Sequence, residues 1–110
     1  MQKVSIKNIG GRIIKDDNTY LLRDNAFGES LVLSSTWLRA NRSTNGHKHD
    51  DQEEVYFFIK GQGEMEIDGE RFDVKHDDVI TINKGEFHRV HNTGSYGLYF
   101  VCVFEGKRNH

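Results

Sequence analysis

An antiparallel all-β domain, either a closed β-barrel or a two-sheet sandwich, is the fold class that this sequence predicts, and three observations lead there. Apolar and polar residues alternate with a period of two in short runs. Gly, Asn and Asp punctuate those runs, and proline is absent altogether, so every turn falls to these residues. No stretch sustains an i, i+3, i+4 apolar pattern over three turns, so no helix is placed. Strands of this number and spacing suit a barrel or a sandwich.

Taken in order, Asp16-Asp17-Asn18 separates Arg12-Ile13-Ile14 from Thr19-Tyr20-Leu21-Leu22 as a hairpin turn does. The break at residues 24–28 precedes a long strand-like run at 30–39. His47-Lys48-His49 reads as extended, which points both imidazoles to one side and Lys48 to the other. Glu54 opens the apolar run Val55-Tyr56-Phe57-Phe58-Ile59, and Lys60-Gly61-Gln62-Gly63 closes it. A short hairpin between these two segments is expected to set the Glu54 carboxylate beside the imidazoles. Met65 and Ile67 alternate with Glu64 and Glu66, Phe72 and Val74 with Arg71 and Asp73, and Asp68-Gly69 between them is the strongest hairpin signal in the chain. Val79-Ile80-Thr81-Ile82, the turn Asn83-Lys84-Gly85, Phe87-His88-Arg89-Val90 and a last strand at 97–104 complete the set.

Composition narrows the function classes. At 110 residues the chain is one domain able to bury its own core. With 35% hydrophobic and 29% charged residues it suits a small domain with much surface. A net charge of −2, both signs scattered, leaves no footprint for nucleic acid and no polybasic membrane segment. The basic end Lys107-Arg108-Asn109-His110 is too short to be more than a solvated terminus. Cys102 is the only cysteine, so no internal disulfide forms and a reducing compartment is expected. No apolar run approaches the roughly 18 residues of a membrane span, and the N-terminus lacks a signal-peptide core. The cytoplasm is the expected location.

His47, His49, Glu54 and His88 stand out as candidate ligands, since three imidazoles and a carboxylate suit a first-row divalent metal. His76, His91 and His110 read as surface or satisfied core residues, and His91, three positions from His88 on one strand, faces the other way.

The spacing of these residues resembles the two motifs of the cupin superfamily. The first, Gly-x5-His-x-His-x(3,4)-Glu-x6-Gly, is matched by His47, His49, Glu54 and Gly61, with Asn41 at the leading glycine. Asn is the residue other than glycine that best tolerates a left-handed turn. The second, Gly-x5-Pro-x-Gly-x2-His-x3-Asn, is matched by Gly85, His88 and Asn92, with Asp77 and Asn83 at the first Gly and the Pro. The resemblance implies a conserved β-barrel, a small jelly roll, with helix content below about 10%. It implies one cupin domain over 1–110, with N-terminal strands in 1–29 and the barrel at 31–104. It further implies one divalent transition metal (Fe, Mn, Ni, Co or Zn) near one end, held by His47, His49, Glu54 and His88. Glu53 is the rival carboxylate, but only Glu54 has the motif's distance to Gly61. Small cupins include isomerases, lyases, dioxygenases and non-catalytic binding modules. The expected function is a metal-dependent enzyme acting on a sugar derivative or a hydroxy or keto acid, the alternative a metal- or small-molecule-binding module.

Alternation proposes the pocket. Tyr56 and Phe58 share a face with Glu54, which makes Tyr56 the candidate for proton transfer and Phe58 a candidate substrate contact. Arg39 would anchor a carboxylate or phosphate if its face is inward, but the strand's phase is open: Val32 and Leu38 fall on the other face with Ser34 and Thr36. The last strand is apolar on both faces, so something covers its outside. A homodimer packing sheet on sheet is expected, or else the chain's own N-terminal residues.

Overall fold

The computed structural model describes residues 1–106; the basic end at 107–110, His110 included, lies outside the described residues. The strands are β1 (Arg12–Asp16), β2 (Tyr20–Asn25), β3 (Leu31–Leu38), β4 (Glu54–Lys60), β5 (Gln62–Ile67), β6 (Glu70–Lys75), β7 (Val79–Ile82), β8 (His88–His91) and β9 (Leu98–Glu105). Helix among the described residues is confined to one 3-10 turn, Ile6–Asn8. All pairings are antiparallel and form two sheets, one ordered β1-β2-β3-β9-β4-β7 and one ordered β6-β5-β8. Among the described residues no helix is long and apolar enough to cross a membrane.

The core lies where the inner faces of the sheets meet. Leu38 from β3, Phe58 from β4, Met65 from β5, Val90 from β8 and Leu98 from β9 are fully buried there. Each sits in phase with the alternation of its own strand, the burial that stabilises a sheet packed on one face.

Turn chemistry explains the corners. Asp17 accepts hydrogen bonds from the Thr19 and Tyr20 amides at 2.8 and 3.1 Å, an Asx turn closing the β1–β2 hairpin. Asp68 and Gly69 both have positive φ, 49° and 84°, as the tight β5–β6 turn requires. Asn41 and Asp77, the residues standing at motif glycines, also lie in the left-handed region at φ 59° and 77°. Gly61 (φ 95°) turns the chain from one sheet into the other, and a Cβ there would sit 2.8 Å from the Gly97 carbonyl oxygen.

One expectation needs correction. The His47-Lys48-His49 segment belongs to a loop over 39–53 rather than to a strand of a hairpin, and its backbone pairs with the second sheet at the single-residue bridges Ser43↔His91 and His47↔His88. No hairpin joins this segment to β4, whose partners are β7 and β9. The outer face of β9 is covered in part by the chain itself: Tyr99 Oη donates to the Ile6 carbonyl at 2.9 Å, and Ile9 is buried. Farther along that face Phe57 and Val79, opposite each other in the β4–β7 ladder, remain 39% and 53% exposed.

Candidate metal centre

The loop that carries His47 and His49 is stitched to β8 residue by residue. His47 and His88 exchange both backbone hydrogen bonds, at 3.0 and 2.9 Å. Thr44 donates its amide to the Val90 carbonyl at 2.9 Å, and its hydroxyl accepts from the Val90 amide at 3.0 Å. His91 faces away from His88, as expected, and its ring is satisfied between Ser43 Oγ at 2.7 Å and Glu66 Oε1 at 3.0 Å. Gly46 passes directly beneath the Phe87 ring, where a Cβ would collide with the ring carbons. That backbone approach presses the His-Lys-His segment against the residues before β8.

These contacts bring candidate ligands together from three elements. One ligand atom each from His49, Glu54 and His88 lies within 4.8 Å of the others, and all three residues are buried. His47 lines the same cavity, half-buried, with its ring centroid 6.0 Å from His49 and 6.5 Å from His88. The tight cluster is thus His49, Glu54 and His88, with His47 beside it.

Protonation follows from the neighbours. His88 Nδ1 lies 3.1 Å from the Glu86 carbonyl oxygen, which can only accept, so Nδ1 carries the proton. Nε2 then faces Glu54 Oε2 at 3.0 Å. An imidazole lone pair and a carboxylate oxygen at that distance need a proton or a cation between them. Burial disfavours the imidazolium, but hydrogen bonds to Glu54 and to the Glu86 carbonyl outweigh it and hold His88 above the ordinary imidazole value. Imidazole nitrogens together with a carboxylate, one nitrogen fixed by a carbonyl behind it, fit a borderline divalent ion of the first transition row.

The cavity over the cluster measures about 50 Å³. Its wall comes from the inward faces of β2, β3, β4 and β9: Leu22, Ser34, Thr36, Tyr56, Phe100 and Cys102. Register explains the grouping, since Ser34 pairs with Cys102 and Cys102 with Tyr56, while Leu22 pairs with Thr36 and Thr36 with Phe100. Among the described residues, no Lys or Arg lines this cavity.

Tyr56 is where the sequence reading placed it, its ring edge-on to His88 at 5.9 Å. Phe58 is not. It pairs with Phe100, one step farther from the ligands, and is 1% exposed beneath Tyr56 and Phe100. Arg39 is not there either. Its strand faces inward through Ser34, Thr36 and Leu38, so Arg39 is exposed and bonds to the Asp17 carbonyl at 3.0 Å and Asp16 Oδ1 at 3.4 Å. Ser34, Thr36, Thr44, Asn45 and Cys102 went unnoticed as cavity residues. The signal for the first two was in the chain, since they share a face with Val32 and Leu38.

Comparison with known proteins identifies the family and agrees with the fold. A family model described as a cupin domain matches residues 38–104. An uncharacterized protein of Methanocaldococcus jannaschii is 33% identical over 93 residues, covering 84% of this chain and 71% of the relative. An oxalate-binding protein of Thermotoga maritima is 28% identical over 99 residues, covering 89% and 82%. Among solved structures, a predicted oxalate decarboxylase of Thermotoga maritima superposes with a TM-score of 0.79 at 23% identity, over 94% of this chain and 98% of that one.

Proposed function

Because the chain belongs to the cupin family, we propose that it is a metal-dependent enzyme acting on a small oxygen-rich acid, a hydroxy, keto or dicarboxylic acid, inside the barrel. The observation that carries this reading is the buried His49–Glu54–His88 cluster at a cavity of about 50 Å³ with no Lys or Arg among the described residues of its wall. That volume has room for about three to five water-sized groups. It fits a two- or three-carbon acid better than a whole sugar. With no Lys or Arg among the described lining residues, the acid's charge is balanced at the ligand cluster.

A divalent transition metal held by His47, His49, Glu54 and His88 would supply Lewis-acid polarisation of a substrate oxygen. The chain's own residues do the rest. Ser34 and Thr36 offer hydroxyl donors along one wall, which orient a second oxygen of the acid. Leu22 and Phe100 make the adjoining surface apolar and exclude bulk water, which strengthens each polar contact. Tyr56, whose ring lies edge-on to that of His88, is the candidate to give or take a proton at its hydroxyl. The Glu86 carbonyl fixes the His88 tautomer and so keeps Nε2 turned toward the ligands.

A second reading, non-catalytic binding of the same acid, is favoured by one relative's name, oxalate-binding protein. Titration calorimetry of the metal-replete protein with oxalate, glycolate and pyruvate, followed by NMR of each mixture over time, separates the two. Binding with chemical conversion supports the enzyme; saturable binding without conversion supports the module; no binding of any small acid overturns both.

A further inference from the structure

The six-stranded sheet carries a second cavity on its outer face. Along β3, Ser34 and Thr36 face the ligand cluster while Ser35 and Trp37 face outward; along β2, Leu22 faces in while Leu21 and Arg23 face out. The outward residues line a cleft of about 670 Å³, within the range of small-molecule sites. Its far wall is the segment around the 3-10 turn at Ile6–Asn8. That wall is built into the fold: Tyr99 Oη holds the Ile6 carbonyl, and Asn25 Nδ2 donates to the Gly10 carbonyl at 3.2 Å. Gly11, at φ 106°, leaves no room for a Cβ, which would sit 2.6 Å from Asn25 Oδ1.

The cleft pairs an aromatic floor with positive charge. Trp37 and Tyr99 lie 6.1 Å apart at 43°, with Ile59 beside them, and Lys60 Nζ is 6.0 Å over the Trp37 ring. Lys7 and Arg23 add two cations, and no Asp or Glu lines the cleft. Arg23 Nε is buried with no hydrogen-bond partner, a donor whose desolvation is uncompensated until an acceptor arrives.

We propose that this cleft is a binding site for a small organic anion with a flat apolar ring, of the aryl carboxylate class. The ring stacks on Trp37 and Tyr99 and the carboxylate meets Arg23 and Lys60. The site lies across the sheet from the ligand cluster, so it stands or falls independently of the metal.

Trp37 is the only tryptophan in the chain, so a single indole N–H signal in a proton–nitrogen NMR spectrum of the full protein reports on this cleft. Titration with benzoate should shift that signal saturably. Arg23→Met and Lys60→Met, checked for an otherwise unchanged spectrum, should each weaken the response, Arg23→Met at least tenfold. Benzyl alcohol, the ring without the charge, and acetate, the charge without the ring, should move it little. An indole signal unmoved at about 10 mM benzoate overturns the site, whether nothing binds or a second copy covers the cleft. An equal affinity for acetate, or an undiminished response in both variants, overturns it as well.

Discussion

His88 Nε2 lies 3.0 Å from Glu54 Oε2, with side chains only 3% and 7% exposed, while Nδ1 of the same ring is held by the Glu86 carbonyl. In the protein without metal the contact is made by a proton, which is why His88 titrates above the ordinary imidazole value. A folded-state value raised above the unfolded one stabilises the fold fully below about pH 6.5 and ceases to do so as pH rises through the folded value.

Chelated protein should therefore lose melting temperature as pH rises from about 6.5 through the folded value, while metal competes better against the proton over the same range. The gap in Tm between metal-loaded and chelated protein should widen with pH. Glu54→Gln should remove the pH dependence of the chelated form. A gap that stays constant across this range contradicts the pairing.

Tyr56 and Phe58 separate chemistry from packing. Tyr56→Phe should retain the metal and lower turnover by about a hundredfold or more if its hydroxyl transfers the proton. Phe58→Ala empties a fully buried site and should cost about 3–5 kcal/mol in denaturant unfolding. Full turnover in Tyr56→Phe removes the tyrosine from the mechanism.

Arg39→Ala should leave acid binding unchanged and cost under about 1 kcal/mol, since its ion pair with Asp16 is exposed and long at 3.4 Å. A large loss of acid affinity in calorimetry would place Arg39 back in the site.

Asn41 and Asp77 hold left-handed backbone, so Asn41→Gly and Asp77→Gly should be neutral or slightly stabilising. Asn41→Val should destabilise by about 1–2 kcal/mol, because a β-branched side chain resists that conformation. Equal unfolding midpoints for the Gly and Val variants would contradict the turn assignment.

Self-association is expected through the end of the outer sheet face that the N-terminal segment leaves bare, centred on Phe57 and Val79. Sedimentation at micromolar concentration should give a dimer, and Phe57→Glu a monomer. A monomeric mass for the unaltered chain removes this interface.

Strands, turns and the His and Glu residues of the buried cluster were legible because each follows from a local rule. Period-two alternation reveals a strand, Asp68-Gly69 a tight turn, and Asn41 a tolerated left-handed position. The loop at 39–53 misled because extended backbone and a paired strand share the same alternation. What fixes His47 beside His88 is a pair of backbone bonds across some forty residues, which no local pattern encodes. The phase of β3 stayed open for a different reason. Its inward face carries Ser34 and Thr36 because it borders a polar cavity, so hydrophobicity alone did not separate it from the face of Trp37 and Arg39.

The most direct test of the metal centre is elemental analysis of protein purified without an affinity column, alongside Glu54→Gln, His88→Ala and the His47→Ala/His88→Ala double variant. The unaltered chain should carry about one divalent transition-metal ion per chain, and the variants sharply less, because each loses a ligand to a buried cation. Full occupancy in the double variant, or no metal in the unaltered chain after incubation with Mn, Fe, Co, Ni or Zn, would contradict it.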